Sequence, residues 1–185
     1  MKLIHERYRQ NFKVNENFYL YQHVASIAWK GKSRRSIFGY LSSDGKQLFG
    51  TDGQSLHISR IEIEAGYYKV LICTRGEVLL HYEGAIIKEK HPFPNVETVI
   101  DPVLKKIKKI DPFIIRINST LASESSAFCG IVRYLSPENG IDFDRIKNLQ
   151  HKTYNVYDTG PYSPIYFEEK YDKKISGLIM PLKIK

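Results

Sequence analysis

Short runs of β-forming residues, separated by glycine-containing turns, set the strongest limit on how this chain can fold. Ser43-Asp44-Gly45 interrupts the run at 35–50, and Arg75-Gly76 interrupts the run at 66–84. Asp-Gly between β-forming residues is a strong hairpin signal, because glycine adopts positive φ without a Cβ clash. Each run therefore predicts two antiparallel strands joined by a turn. Asp52-Gly53, between two further apolar runs, predicts a third hairpin turn or a bulge.

The second half of the chain also contains runs of β-forming residues. In the last run, Leu178, Met180, Leu182 and Ile184 alternate and are expected on one face of a strand. Together with the hairpins, these runs predict a strand-dominated α+β protein. The predicted strands are 112–120, 128–135, 152–160, 163–170 and 176–184.

Three segments have helical spacing. Residues 15–29 carry an apolar stripe that includes Leu20, Val24, Ile27 and Ala28. The second helix is predicted at 101–112, with Asp101 as its cap, Pro102 in its first turn and Asp111-Pro112 as its stop. The third is predicted at 141–150. We expect the first and third helices side by side on one face.

The composition limits the partners of the protein. The chain has 185 residues and a formal net charge of +8, which favours a polyanion such as DNA or RNA as a partner. A generally basic surface without a specific partner is the alternative. Because no apolar run approaches the roughly 20 residues of a membrane helix, and no signal peptide is apparent, we expect no membrane association and a cytoplasmic location.

The sequence contains no recognisable catalytic or metal-binding pattern. Cys73 and Cys129 lie far apart, and the six histidines form no HxxH or HExxH motif. No serine lies in a GxSxG or SxxK context, and no phosphate-binding glycine motif is present. We therefore expect no enzymatic activity, no metal and no cofactor.

Three stretches in a distinctive order carry a resemblance to a known family. They are GTDGQSLHI (50–58), PFPNVETVI (92–100) and GLIMPLKI (177–184), and DTGPYSPIYFEE (158–169) precedes the last. Together they resemble the bacterial sliding clamp, the β subunit of DNA polymerase III, with its ATDGHRL-like, FPDY-like, TDPLSPLLL-type and VIMPMRL-like segments. The resemblance implies a DNA-clamp fold, with antiparallel sheets and two helices on one face.

In that family these segments converge on a hydrophobic cleft that binds short linear peptides of polymerases, the clamp loader and repair factors. One departure concerns the family's His-Arg after the glycine, which is Gln54-Ser55 here and removes a charge from the cleft rim. The alternative for the first stretch is a β-bulge followed by core residues. The cleft residues implied by the resemblance are Thr51, Asp52, Gly53, Leu56, Phe93, Pro94, Val99, Leu178, Met180 and Pro181.

Clamps hold duplex DNA by topology, with basic helix faces that touch phosphates rather than bases. For each basic cluster, an ordinary solvated face is the alternative. The candidate DNA-binding residues are Lys30, Lys32, Arg34, Arg35, Lys105, Lys106, Lys108 and Lys109.

The length of the chain bears on ring formation, because a typical clamp subunit is about twice as long and has three domains. We expect residues 1–185 to form one clamp-like domain from two halves, about 1–95 and 96–185. A six-domain ring would then need about six copies by cyclic symmetry, or fewer if each chain holds two domains. A homo-oligomer is therefore expected.

Three functions are compatible with the sequence. The first is a clamp-like processivity factor of DNA replication, with a phage or mobile element as a conceivable source. The second is a peptide-binding decoy or regulator of a host clamp that forms no ring. The third is a plain nucleic-acid-binding β-protein, which would need only the basic residues. The mass of the particle in solution best separates the first two.

Overall fold

The computed structural model of the chain describes residues 11–14, 16–30, 36–86, 93–116, 139–140 and 152–183. Two α-helices, α1 (Phe18–Lys30) and α2 (Val96–Ile107), and a short 3₁₀ helix (Ser36–Gly39) lie within these ranges. The strands are β1 (Asn11–Lys13), β2 (Tyr40–Ser43), β3 (Gln47–Thr51), β4 (Ser55–Arg60), β5 (Gly66–Cys73), β6 (Val78–Gly84), β7 (Phe113–Arg116), β8 (Asn139–Gly140), β9 (Thr153–Asp158), β10 (Ile165–Glu169), β11 (Ile175–Ile179) and β12 (Leu182–Lys183).

The described residues cluster into two compact units. Unit 1 contains those up to Gly53 and those from Ile58 to Pro94, whereas unit 2 contains Gln54–His57 and those from Asn95 onward. The first half of β4 therefore belongs to unit 2 and its second half to unit 1. The later division, at Pro94 and Asn95, lies close to the expected boundary between the two halves at about residue 95.

Unit 1 is an antiparallel sheet covered by α1. Its strands follow the order β1-β6-β5-β2-β3, with the end of β4 next. The helix predicted at 15–29 is confirmed as α1, because its apolar stripe packs on the sheet and leaves Val24, Ala25 and Ala28 in one core cluster with Leu41 and Leu80. Burial of this face stabilises a helix that is too short to persist alone in water.

The two predicted hairpins of unit 1 are confirmed. The Asp44 carboxylate accepts hydrogen bonds from the backbone N–H groups of Lys46 (2.8 Å) and Gln47 (2.7 Å) in the turn between β2 and β3. In the turn between β5 and β6, the backbone N–H of Thr74 donates to Glu77 O at 2.8 Å. The strand expected before the first of these turns, β2, is shorter than predicted, since residues 36–39 form the 3₁₀ helix.

Unit 2 is built on the antiparallel order β11-β10-β9-β7. In its register Ile165 lies opposite Ile179, and Tyr166 lies opposite both Leu178 and Tyr157. Alternate residues bury one face of this sheet, as a period of two requires. The buried side chains on that face are Ile115, Tyr154, Val156, Ile165, Phe167, Glu169, Ile175 and Ile179.

The final strand is interrupted rather than continuous, so the prediction of one strand over 176–184 is wrong. β11 ends at Ile179, and β12 pairs with β8 in a separate two-stranded sheet. Pro181 lies between β11 and β12 and has no N–H to donate, which favours an end of the ladder at this point.

The second helix begins five residues before its predicted start. Asn95 is the N-cap, and its side-chain oxygen accepts the backbone N–H of Thr98 at 3.3 Å. Pro102, predicted in the first turn, lies inside α2, where it lacks the N–H that would reach the carbonyl of the exposed Thr98. The third predicted helix, 141–150, lies outside the described residues, and its placement beside α1 stays a prediction.

Candidate functional site

The first stretch that carries the resemblance, residues 50–58, bends at Asp52-Gly53. Its residues up to this bend belong to unit 1. The backbone N–H of Gly53 donates to Thr51 Oγ1 at 3.0 Å, and Gly53 has φ of +85°. A Cβ at Gly53 would lie 2.8 Å from the Phe38 ring. Glycine is therefore required both by the backbone conformation and by the ring beside it. The predicted turn is confirmed, and the next residue, Gln54, belongs to unit 2.

The segment after this bend lies directly beside β11. The backbone N–H of Met180 donates to Gln54 O at 2.8 Å. A Cβ at Gly177 would lie 2.5 Å from Leu56 O and 2.6 Å from the Phe167 ring, so only glycine allows this approach. The structure thus brings together the first and the last of the segments that carry the resemblance.

Gly177 is a positioning residue that is not among the site residues predicted from the sequence. The available signal was a glycine inside an apolar strand, which often marks a close approach of another backbone. Its partner across the contact, Leu56 O, is far away along the sequence, so the signal does not reveal what approaches.

The expected cleft residues Leu56, Val99, Leu178 and Met180, which would form its apolar walls, differ in their exposure. Leu56 and Leu178 are buried, with 7% and 2% of their surface exposed, whereas Met180 is 42% exposed. Val99 is also exposed, on α2 in the same unit. Pro181 is half-buried. Among these residues, Met180 and Val99 offer accessible apolar surface, whereas the two leucines are buried.

The second stretch that carries the resemblance, residues 92–100, contributes one buried and one exposed residue to unit 1. Phe93 is buried, with its ring centroid 6.3 Å from that of Tyr67. Pro94 is exposed and immediately precedes the Asn95 cap of α2. Phe93 therefore anchors the chain on unit 1 before α2 begins. Thr51, Asp52 and Gly53 are in unit 1 as well.

Gln54 and Ser55, which stand where the clamp family has His-Arg, differ in burial. Gln54 is exposed, and its carbonyl accepts the bond from Met180 described above. Ser55 is buried, with little of its surface in contact with solvent. A cation at Ser55 would be costly to bury without a charged partner, which accounts physically for a small polar residue here.

The basic candidates on α2 lie at its C-terminal end. Lys105, Lys106, Lys108 and Lys109 are all exposed, and the backbone N–H of Lys108 closes the helix on Lys106 O. Cations at this end also complement the helix dipole, whatever they bind. Of the other basic candidates, Lys30 is the last residue of α1, and Lys32, Arg34 and Arg35 lie outside the described residues.

The two hairpin turns described in unit 2, after β9 and after β10, are held by carboxylates. In the turn after β10, the buried carboxylate of Glu169 accepts the backbone N–H groups of Asp172 (2.8 Å) and Lys173 (3.1 Å). Partial burial opposes ionisation of Asp172, but a hydrogen bond shared with the Glu169 carboxyl, together with those accepted from the Lys174 N–H and Lys152, lowers its pKa to about 2. In the turn after β9, Asp158 Oδ1 accepts the backbone N–H of Gly160 at 2.9 Å.

Two tyrosines and a carboxylate share the other face of the unit 2 sheet. The Tyr157 and Tyr166 hydroxyls each lie 3.4 Å from an oxygen of Glu168. Burial, together with the charge of Glu168, raises the pKa of Tyr157. The Tyr157 hydroxyl therefore remains a protonated donor at neutral pH, and its contact with Glu168 links β9 to β10.

The part of the chain that the structure describes forms neither a metal-binding cluster nor a membrane-spanning helix. No group of three or more His, Cys, Asp or Glu side chains there is arranged to hold a metal ion. Neither α1 nor α2, the two described α-helices, combines the length and the apolar character of a membrane span.

Comparison with known proteins relates the structure to bacterial sliding clamps. No family profile matches the sequence, and no curated protein matches it either. Solved structures do match. The DNA polymerase III β subunit of Thermotoga maritima is 11% identical with a TM-score of 0.55, and the match covers 95% of this chain and 66% of that one. The Helicobacter pylori β clamp bound to a DNA ligase peptide is 15% identical, with a TM-score of 0.54 and the same coverages.

A third match extends the likeness to another bacterium. The DNA polymerase III β subunit of Pseudomonas aeruginosa is 12% identical with a TM-score of 0.53, and the match covers 94% of this chain and 66% of that one. The chain therefore spans about two thirds of the length of the clamps it matches. At these identities the likeness shows the fold, and the predicted fold class is confirmed: the chain is an α+β protein with the sliding-clamp fold, and its described residues form antiparallel strands and two α-helices.

Proposed function

We propose that this chain is a non-enzymatic, sliding-clamp-like accessory of DNA replication that surrounds or contacts duplex DNA and binds replication proteins through linear peptides. The observation that carries the proposal is the clamp fold over 95% of the chain. The hydrogen bond between Met180 N and Gln54 O supports it, since it joins two of the segments that resemble the clamp family. In this proposal the protein stays on DNA and recruits replication proteins in the cytoplasm, and it uses no catalytic residue and no cofactor.

The ring proposed for this protein depends on how many clamp domains one chain provides. If the whole chain counts as one clamp-like domain of two halves, six chains make a six-domain ring. If each compact unit counts as one domain, three chains are enough. The division into two units and the match to about two thirds of a clamp support three.

The test combines particle mass with retention on DNA. A three-chain ring has a mass of about 65 kDa, three times the 21.5 kDa of the chain. Dilute chains would be mixed with nicked circular DNA, concentrated, and washed with salt at about 0.5 M, which weakens phosphate contacts. We expect a discrete oligomer that stays on the circle and leaves when a restriction enzyme linearises it.

Two results would contradict the proposal. A monomer that binds peptides but not DNA would favour the decoy or regulator of a host clamp. Equal loss from circular and linear DNA as salt rises would identify a plain nucleic-acid-binding protein.

Met180 provides the test of peptide binding. We expect wild-type protein to bind a peptide containing Gln followed by Leu and Phe with a micromolar dissociation constant, on the order of −8 kcal/mol. Met180→Ala should weaken this binding by about 1–3 kcal/mol, because a few buried apolar contacts dominate such interfaces. Its exposure in the free protein should leave the free energy of unfolding nearly unchanged. Titration calorimetry with each protein measures the effect.

Ile114→Ala is the matched control, since Ile114 is exposed in the same unit on β7, three strands from β11. An equal effect of the two variants would remove Met180 from the site. Failure of wild-type protein to bind would overturn the proposed peptide binding, with the change to Gln54-Ser55 as a physical reason. Leu56→Ala is a poor test, because truncating a buried leucine costs about 2–5 kcal/mol of stability.

A further inference from the structure

The turn between β9 and β10 holds an exposed aromatic residue in an unfavourable conformation. Tyr162 has φ of +56° and is 49% exposed. The turn is fixed on both sides, since Ser163 N–H donates to Gly160 O at 3.1 Å and Thr159 Oγ1 donates to Pro164 O at 2.9 Å. Tyr162 is therefore held in place by its neighbours rather than by its own preference.

A left-handed conformation is costly for a residue with a Cβ, and glycine avoids that cost. Asparagine also tolerates it better than a bulky aromatic residue does. Non-glycine residues held in such conformations are concentrated at functional sites. The ring of Tyr162 is thus retained at a position where smaller residues would suit the backbone better.

The register of unit 2 places this turn at the same end of the sheet as Met180. Ile165 lies opposite Ile179, so continuing the antiparallel register by one residue brings Pro164 level with Met180. Tyr162 precedes Pro164 by two residues, a separation of at most about 7 Å along the chain. Tyr162 and Met180, two of the exposed large apolar side chains, therefore lie at one end of the same sheet.

We propose that Tyr162 is a specificity-determining residue whose ring receives an aromatic side chain of the bound peptide beside Met180. This inference rests on the proposed peptide binding. Two aromatic rings favour offset or edge-to-face contact, and a thioether makes a favourable contact with a ring edge. Because the turn already fixes the backbone of Tyr162, binding costs little further conformational freedom.

The experiment is a double-mutant cycle between protein and peptide. Wild-type protein and Tyr162→Gly would each be titrated with the Gln-Leu-Phe peptide and with a peptide carrying Leu in place of Phe. We expect wild-type protein to prefer the Phe peptide by about twofold to tenfold, the range of an aromatic pair. Tyr162→Gly should lose this preference while its melting temperature stays equal or rises, because glycine suits the backbone.

Tyr171→Ala is the matched control. Tyr171 is an exposed tyrosine in the turn between β10 and β11, at the opposite end of the sheet, and its replacement should leave the preference intact. Tyr162→Asn is the second variant, used if Tyr162→Gly lowers the melting temperature, and it should also lose the preference.

The outcomes separate this inference from the function on which it rests. Equal affinity of wild-type protein for both peptides, or a preference kept in Tyr162→Gly and Tyr162→Asn, would overturn the role of Tyr162 and leave peptide binding intact. Absence of binding to either peptide would overturn the proposed peptide-binding function, and this inference with it.

Discussion

Replacing Gly177 with alanine is expected to destabilise the protein by about 3 kcal/mol or more, at the upper end of overpacking effects in well-packed cores. The added Cβ would lie 2.5 Å from Leu56 O and 2.6 Å from the ring of the fully buried Phe167. Neither group can yield easily, because one is backbone and the other is enclosed on all sides. Urea unfolding followed by circular dichroism measures the change.

Gly76→Ala is the matched control for this substitution. A Cβ at Gly76, in the turn between β5 and β6, meets no atom within 4 Å, so the change should stay within about 0.5 kcal/mol. A Gly177→Ala variant as stable as Gly76→Ala would mean that the segment at Gln54–His57 does not pack against β11 as described.

Charge reversal at Lys105 and Lys108 should weaken DNA retention at least tenfold at about 0.1 M salt, because each phosphate left without its lysine no longer releases a counterion on binding. The dependence of affinity on salt should also fall, by about one unit of slope for each such phosphate. The base sequence should matter little, because the proposed contacts are to phosphates rather than to bases. Filter binding or anisotropy over a salt series measures both quantities.

The matched control is charge reversal at Arg60 and Arg75, two exposed cations of unit 1. It changes the net charge by the same amount, so equal weakening by both double variants would reflect net charge alone. Unchanged retention in the lysine variant would assign the end of α2 to an ordinary solvated surface. Because cations in the last turn also stabilise a helix by about 0.3–1 kcal/mol, folding of the variant must be checked.

Features encoded by neighbouring residues were predictable from the sequence. The turns at Asp44-Gly45 and Arg75-Gly76 depend on local backbone preferences, and α1 depends on a stripe within 13 residues. The start of α2 was missed because Pro102 is a typical first-turn residue, whereas Asn95 is also a good cap and lies earlier. Asn95 and Asp101-Pro102 are both suitable helix starts, and the sequence alone does not show which of them is used.

Features that depend on distant residues were less accessible. The resemblance assigned Leu56 and Met180 to one cleft, and the structure does bring Gln54 and Met180 into hydrogen-bond contact. It could not tell that Leu56 is buried while Met180 is exposed, because both are apolar residues in β-forming runs. The conformation of Tyr162 was also hidden, since tyrosine is not a residue that signals positive φ.

The placement of Gln54–His57 in unit 2 has a consequence for how the protein is made. These four residues leave the ribosome well before β11, by about 6–24 s at ordinary rates of synthesis. During that interval the segment is without the strand beside which it lies in the finished protein. Unit 2 therefore cannot be completed from the C-terminal half of the chain alone. A nascent chain that stops at Pro94 carries part of a unit whose remainder has not yet been translated.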